Sequence, residues 1–292
     1  MRKISGRIIK SVGGFYDVET AEGIFKSKAR GIFRNKSISP FTGDYVEITL
    51  DESSEPVIER IFDRKNEIIR PPMANLDMVL LVVSACEPSP NALVIDKLIS
   101  IFESKNIETV LIFTKNDIKD CSGLISVYEK IGYPCFVVDN LTGEGVERVR
   151  EFIKGRTSAL IGNSGVGKSS FINRIFPELN KETNYISKKL GRGRHTTRDV
   201  EMYPFEGGYL ADTPGFSTVD IERYGRIEKS ELRYCFREFS EYSENCRFNN
   251  CMHLKESGCC VTEAVEKGLI PKSRYESYVR MYNEAAEAAK KW

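Results

Sequence analysis

No stretch of this 292-residue chain is long and apolar enough to span a membrane. The longest apolar run, Met78 to Ala85, falls far short of the ~20 residues a membrane helix requires. Met1 to Lys10 lack the apolar core of a signal peptide, so the chain reads as cytoplasmic, with no membrane partner. An excess of charge of one sign is missing as well. Lys and Arg number 43 and Asp and Glu 42, for a net charge of +1, which excludes a protein held to nucleic acid by its global field and leaves room for a local basic patch. There are no internal repeats or low-complexity tracts, and 41% hydrophobic with 29% charged residues exclude a disordered or fibrous chain. Single cores stop growing at ~250–300 residues, so two or three domains are expected.

Histidine is scarce, at two residues, but there are eight cysteines. Cys86, Cys121 and Cys135 lie singly, while a close cluster after Cys246 has metal-ligand spacing, so reduced thiols are expected rather than disulfides.

From Ile4 to about Phe62 the sequence reads as five short strands, ISGRIIKSV, FYDVET, GIFKSKARG, DYVEITL and PVIERIF, separated by turn residues. Five short strands predict a small β-barrel of the oligonucleotide-binding (OB) type. Between Ile24 and Phe41, the bases Lys26, Lys28, Arg30, Arg34 and Lys36 interleave with Phe25, Phe33 and Phe41 with no acid present. That pattern suits phosphate contacts beside base stacking, and equally a solvated hairpin whose phenylalanines point into the barrel.

After Pro71-Pro72 the rhythm changes to long apolar strands (MVLLVVSA, TVLIFT, PCFVVD, TSALIG, GYLADT) alternating with helical stretches that begin near Asn91, Cys121, Gly145 and Lys168. This predicts an α/β core with a mostly parallel sheet covered on both faces. Beyond about Asp220 no strand pattern remains, and Lys229 to Tyr242, Val261 to Lys267 and Ser273 to Lys291 read as helices. The expected domains are residues 1–68, 69–222 and 223–292.

Gly162, Asn163, Ser164, Gly165, Val166, Gly167, Lys168 and Ser169 fit the phosphate-loop pattern GxxxxGK followed by Ser or Thr, between the strand TSALIG and a helix opening on Ser169 and Ser170. In that context backbone NH groups face phosphate, Lys168 reaches the β and γ oxygens, and the Ser169 hydroxyl ligands magnesium; the alternative is a plain Gly-rich turn. Asp212 to Gly215 have the pattern DxxG, in which Asp212 serves magnesium and the Gly215 NH senses the γ-phosphate. Between them Lys188, Lys189, Arg192, Arg194, His195 and Arg198 surround Thr196 and Thr197, either of which can close over magnesium when GTP is bound. The bland alternative is a basic surface loop.

Thr114, Lys115, Asn116 and Asp117 end the strand TVLIFT and match the guanine motif, Asn or Thr followed by KxD. Asp117 can accept from both N1 and the exocyclic amine of guanine, a pair adenine does not offer, which implies GTP over ATP. Thr114 stands where Asn is usual, so weakened bracing of the loop with retained guanine choice is expected. The supporting loop, often Ser-Ala followed by TGEG, reads Asp139 to Gly145. The guanine motif precedes the phosphate loop, so the order is four, five, one, two, three: a circular permutation, allowed where old termini lie close together.

The cluster Cys246, Cys251, His253 and Cys259 offers three thiolates and an imidazole, the set of a closed structural zinc site. Buried cysteines or a redox pair are the alternatives, with Cys260 a spare neighbour and Cys235 a packing residue. Where many GTPases place a water-orienting Gln, this chain has Phe216, so intrinsic hydrolysis should be slow. His195 is the candidate catalytic group, its alternative being contact with RNA or solvent.

Barrel, permuted motifs, the run Gly191 to Thr197 (GRGRHTT) and the cysteine cluster together resemble the RsgA (YjeQ/YloQ) family over nearly the whole chain. The resemblance implies a zinc-containing, magnesium-dependent GTPase that binds the small ribosomal subunit and its rRNA, is stimulated by the subunit, acts late in its maturation, and is a monomer in solution. The rival expectation is a nucleotide-regulated rRNA-binding scaffold with negligible turnover, and a weaker one is an ATPase or kinase.

Overall fold

Alternating apolar and polar residues along the first sixty positions curl into a closed barrel in the computed structural model, which describes residues 2–31, 33, 38–51, 54–177, 200–213 and 227–289. Its strands are β1 (Arg2–Val12), β2 (Phe15–Thr20), β3 (Gly23–Ala29), β4 (Tyr45–Asp51) and β5 (Ser54–Ile61). β1 pairs antiparallel with both β2 and β4, β3 runs parallel to β5, and β5 pairs with β4, so the order β1-β2-β3-β5-β4-β1 leaves no free edge. Ile8, Val18, Phe33, Val46, Ile48 and Ile58 fill the interior. Phe33 therefore belongs to the core, and Phe25 packs against it. Lys28 and Arg30 pair with Glu55 and Glu59, Lys26 and Lys28 lie over the Phe15 ring, and Arg64 lies over Phe41. Arg34 and Lys36 lie outside the described residues.

A short ribbon, β6 (Glu67–Ile68) with β7 (Met73–Ala74), leads into the α/β core. There β8 (Met78–Ser84), α1 (Ala92–Glu103), β9 (Glu108–Thr114), α2 (Ser122–Lys130), β10 (Cys135–Val138), α3 (Val146–Ile153), β11 (Thr157–Ile161), α4 (Lys168–Ile175), β12 (Glu201–Phe205) and β13 (Gly208–Asp212) follow in sequence. The sheet order is β10-β9-β8-β11-β13-β12, parallel throughout except for the antiparallel β12. β8 is buried along its whole length because helices cover both faces, which is why it reads as an unbroken apolar run.

One bridge, Lys10 to Glu201, carries the sheet from β12 into the barrel. Arg7 fastens the join more firmly. Its guanidinium is buried, donates to Thr157 Oγ1 at 2.9 Å and to the Asn75 carbonyl at 3.2 Å, and lies against the rings of Tyr45 and Tyr209.

The C-terminal part is helical, with one departure from the sequence expectation. Lys229 to Tyr242 do not form a continuous helix but two 3-10 turns, Leu232–Cys235 and Arg237–Phe239, followed by the short α5 (Ser240–Ser243). The chain breaks at Phe236, whose backbone is at φ −114°, ψ 89°. The break stacks Phe236 and Phe239 at 5.2 Å and brings both edge-on to Tyr278. Tertiary aromatic packing thus overrides the helical spacing of Leu232, Cys235, Phe236 and Phe239. Helices α6 (Cys260–Glu266) and α7 (Lys272–Ala289) complete the module.

Candidate nucleotide site and metal centre

The phosphate loop sits where β11, one of the two central strands of the core, turns into α4. Gly165 and Gly167 adopt φ of +81° and +96°, conformations that favour glycine and let the backbone turn tightly before the helix. The Lys168 ammonium donates to the carbonyls of Gly162 at 2.5 Å and Asn163 at 2.7 Å, at the mouth of its own loop. Burial pushes this amine down to about 8, against the pull of the nearby Asp212 carboxylate. Asp212, at the end of the adjacent β13, is pushed up to about 6 by burial, with Lys168 opposing the shift. Asp212, half-buried at the end of the strand next to β11, and Ser169, exposed in the first turn of α4, are oxygen donors of the kind that suits a divalent cation.

β9 ends one strand away from β11 beyond β8, and its last residue delivers the guanine motif to the phosphate loop. Thr114 Oγ1 donates to the Val166 carbonyl at 2.6 Å, and Lys115 Nζ donates to the Gly165 carbonyl at 3.0 Å and the Glu87 carbonyl at 2.7 Å. Asn116 turns away from that contact, its Oδ1 accepting from the Cys121 amide at 3.0 Å at the start of α2. Asp117 is exposed, its carboxylate open to solvent beside the loop. Thr114 thus braces the loop in the place where Asn is usual. The threonine makes a short bond of its own, and Asn140 from the loop after β10 adds another, Nδ2 to the Gly167 carbonyl at 3.2 Å.

In the C-terminal module Cys246, Cys251, His253 and Cys259 bring their ligand atoms within 4.8 Å of one another. His253 Nδ1 lies 3.7 Å from Cys246 Sγ and 3.5 Å from Cys259 Sγ. Zinc bonds of about 2.3 Å to sulfur and 2.0–2.1 Å to nitrogen place tetrahedral N and S ligands about 3.5 Å apart, so the cluster fits a metal ion. Burial pushes the Cys251 thiol up to about 12, so a thiolate there would need a cation beside it. The outer residues are supplied by α7: Tyr275 donates to the His253 carbonyl at 2.9 Å and Tyr278 to the Met252 carbonyl at 2.5 Å. Cys260 lies outside the cluster, donating to the Asn245 carbonyl, and Cys235 is buried in the apolar core.

With this geometry in place, the sequence matches the family model described as RsgA GTPase over residues 61–222 and the RsgA N-terminal domain over residues 5–58. The chain belongs to the RsgA GTPase family. A curated relative from Caldanaerobacter subterraneus subsp. tengcongensis, named small ribosomal subunit biogenesis GTPase RsgA, is 44% identical, covering 100% of this chain and 99% of its own. One of the same name from Staphylococcus haemolyticus is 42% identical, covering 96% and 97%. Among solved structures, YjeQ from Thermotoga maritima superposes with a TM-score of 0.80 at 36% identity, covering 98% of this chain and 99% of its own. YloQ, described as a circularly permuted GTPase, gives 0.79 at 32%, covering 98% and 96%.

Within this RsgA fold the structure brings Thr114, Lys115 and Gly162 to Lys168 into one hydrogen-bonded group, with Asp212 against Lys168. His195, Thr196, Thr197, Gly215 and Phe216, with the basic residues from Lys188 to Arg198, lie outside the described residues. Asn140 and Arg174 were missed as site residues. Asn140 occupies a loop read only as a departure from Ser-Ala, and Arg174 in the last turn of α4 carries no motif. Arg174 nonetheless donates to the carbonyls of Asn140 and Leu141.

Proposed function

We propose that this chain is a cytoplasmic GTPase that binds the small ribosomal subunit through its rRNA, hydrolyses GTP during late maturation of that subunit, and is stimulated by it. The observation that carries the reading is the direct bonding of the guanine motif to the phosphate loop, Thr114 to Val166 and Lys115 to Gly165, which makes base selection and phosphate binding parts of one site. Asp117 then selects guanine, Gly162 to Ser170 cradle the phosphates, and Lys168 reaches the β and γ oxygens. Ser169 and Asp212, with Thr196 or Thr197, would hold magnesium, which when bound neutralises charge on the phosphates. The Gly215 amide reads the γ-phosphate, and His195 is the candidate group for assisting hydrolysis.

The four ligands Cys246, Cys251, His253 and Cys259 hold one structural zinc. Residues 1–68, 69–222 and 223–292 act as barrel, permuted GTPase and zinc-binding domains of a monomer. In the permuted order the chain after Asp212 runs into the C-terminal domain, so a γ-phosphate-dependent movement has a direct route to it.

Steady-state hydrolysis of GTP and ATP by the purified chain, with and without small subunits in magnesium buffer, tests the proposal. GTP-specific turnover that rises strongly with the subunit is expected. Phe216 in place of a water-orienting Gln favours one second reading, a nucleotide-regulated rRNA-binding scaffold, for which GTP binds without stimulated turnover.

A further inference from the structure

Three successive carbonyls of the phosphate loop accept side-chain hydrogen bonds from the base-recognition side. Gly165 accepts from Lys115, Val166 from Thr114 and Gly167 from Asn140. The first two donors belong to the guanine motif. The third comes from the loop Asp139 to Gly145, at a position where an alanine would have nothing to donate.

The contact is reciprocal. Arg174, in the helix that the phosphate loop opens, sends Nε to the Asn140 carbonyl at 2.9 Å and its guanidinium also to the Leu141 carbonyl. At Gly167 a Cβ would stand 2.7 Å from Asn140 Nδ2, so the two loops touch with no room for a side chain between them.

The base loop is stiff where it makes this contact. The Asp139 carboxylate accepts from the Leu141 amide at 2.6 Å and the Thr142 hydroxyl at 2.8 Å, and Gly145 at φ +79° passes so close to Val137 that a Cβ would meet its carbonyl at 2.1 Å. Asn140 also carries a cost. Its Oδ1 is buried without a hydrogen-bond partner among the described residues, a penalty that an apolar side chain would avoid. Packing alone does not explain an amide here.

We propose that Asn140 and Arg174 are positioning residues of the nucleotide site, which hold the base loop and the phosphate loop at the spacing a guanine nucleotide spans. The inference rests on the reading of these loops as a nucleotide site and adds to it a coupling between the halves. Two half-sites held at fixed spacing let binding of the base present the phosphates at high effective concentration, and slackening the spacing weakens the whole ligand more than either piece.

The test uses the full-length chain and fluorescent GDP in stopped-flow release, with guanosine and inorganic pyrophosphate as separate competitors. Asn140→Ala and Arg174→Ala should each release GDP about tenfold faster, the effect of losing one or two hydrogen bonds. Guanosine and pyrophosphate, each reading only one half-site, should compete as they do with the unaltered chain. Asn140→Asp keeps the shape but turns a carboxylate oxygen on the Gly167 carbonyl, so it should release GDP at least as fast as Asn140→Ala, which lost packing alone would not produce. GDP release unchanged in both alanine variants overturns the inference, as does a loss of guanosine affinity matching the loss for GDP. Lys168→Ala and Asp117→Asn serve as controls. If they weaken GDP while Asn140→Ala and Arg174→Ala do not, the coupling alone falls; if they too leave GDP binding unchanged, the nucleotide-site reading falls with it.

Discussion

At position 117 a carboxylate stands exposed just beyond Thr114 and Lys115, which are fastened to the phosphate loop. Its proposed work is to accept two hydrogen bonds from guanine, and an amide in its place would offer a donor where guanine also has donors. Asp117→Asn should therefore weaken GTP by about a hundredfold or more and move preference toward xanthosine triphosphate, read by competition with fluorescent GDP. Unchanged preference would refute the base-site assignment. The meeting of Thr114 and Lys115 with the loop Gly162 to Lys168 was legible because the letters, order and flanking strands of both segments follow recognised patterns. Asn140 was not legible, since its partner Gly167 is 27 residues away and only the fold brings them together.

At the scale of single elements, the start of β8 is tied to the start of β11 by Asp77. Its carboxylate accepts from the Thr157 amide at 2.6 Å and pairs with Lys65, and its own amide donates to the Thr157 carbonyl. Burial alone would raise this acid, but Lys65, the Thr157 amide and Arg7 together outweigh it and hold it below the ordinary carboxylate value. A carboxyl lowered in the native state stabilises it above the unfolded value and loses that contribution as pH falls through the native one. Asp77→Asn should therefore be less stable than the unaltered chain at neutral pH, with the difference closing from about pH 4 downward, as denaturant titrations at several pH values would record.

The metal loop and α7 form a second such unit, because Tyr275 and Tyr278 hold the carbonyls of His253, Leu254 and Met252. Cys251→Ser should remove nearly all bound zinc by elemental analysis and lower helix content by circular dichroism. Retention of one zinc per chain would exclude Cys251 as a ligand. Elements with a single period were read correctly from sequence. The sequence pattern did not show the two-residue strands β6 and β7, nor β12, a mixed-polarity strand containing Pro204, and the helical spacing of Lys229 to Tyr242 yields to aromatic stacking on Tyr278.

Across the whole molecule the three parts are joined by buried arginines. Arg7 fastens the barrel to the core, and Arg274 of α7 fastens the C-terminal module to α1 and α2. Arg274 is fully buried, with Nη1 2.6 Å from Asp96 Oδ1 and Nε 2.8 Å from Glu238 Oε1. Tyr128 donates to the same Asp96 oxygen at 2.9 Å, and the guanidinium lies over the Phe236 ring at 4.5 Å. Such a group is weak evidence for net stability, because desolvating the charges offsets much of their attraction, but removing one member leaves the others buried and unpaired. Arg274→Ala should therefore cost roughly 3–5 kcal/mol. Since Asp96 belongs to α1 and Glu238 to the C-terminal module, the loss should fall on the joint between them. The expected outcome is a second, earlier transition in denaturant unfolding and release of a C-terminal fragment by limited proteolysis, with GDP still bound. Combining Arg274→Met with Asp96→Asn and Glu238→Gln removes the stranded charges and should recover much of the loss. A single transition in Arg274→Ala at the unaltered midpoint would show that apolar packing, not this ionic joint, holds the module to the core.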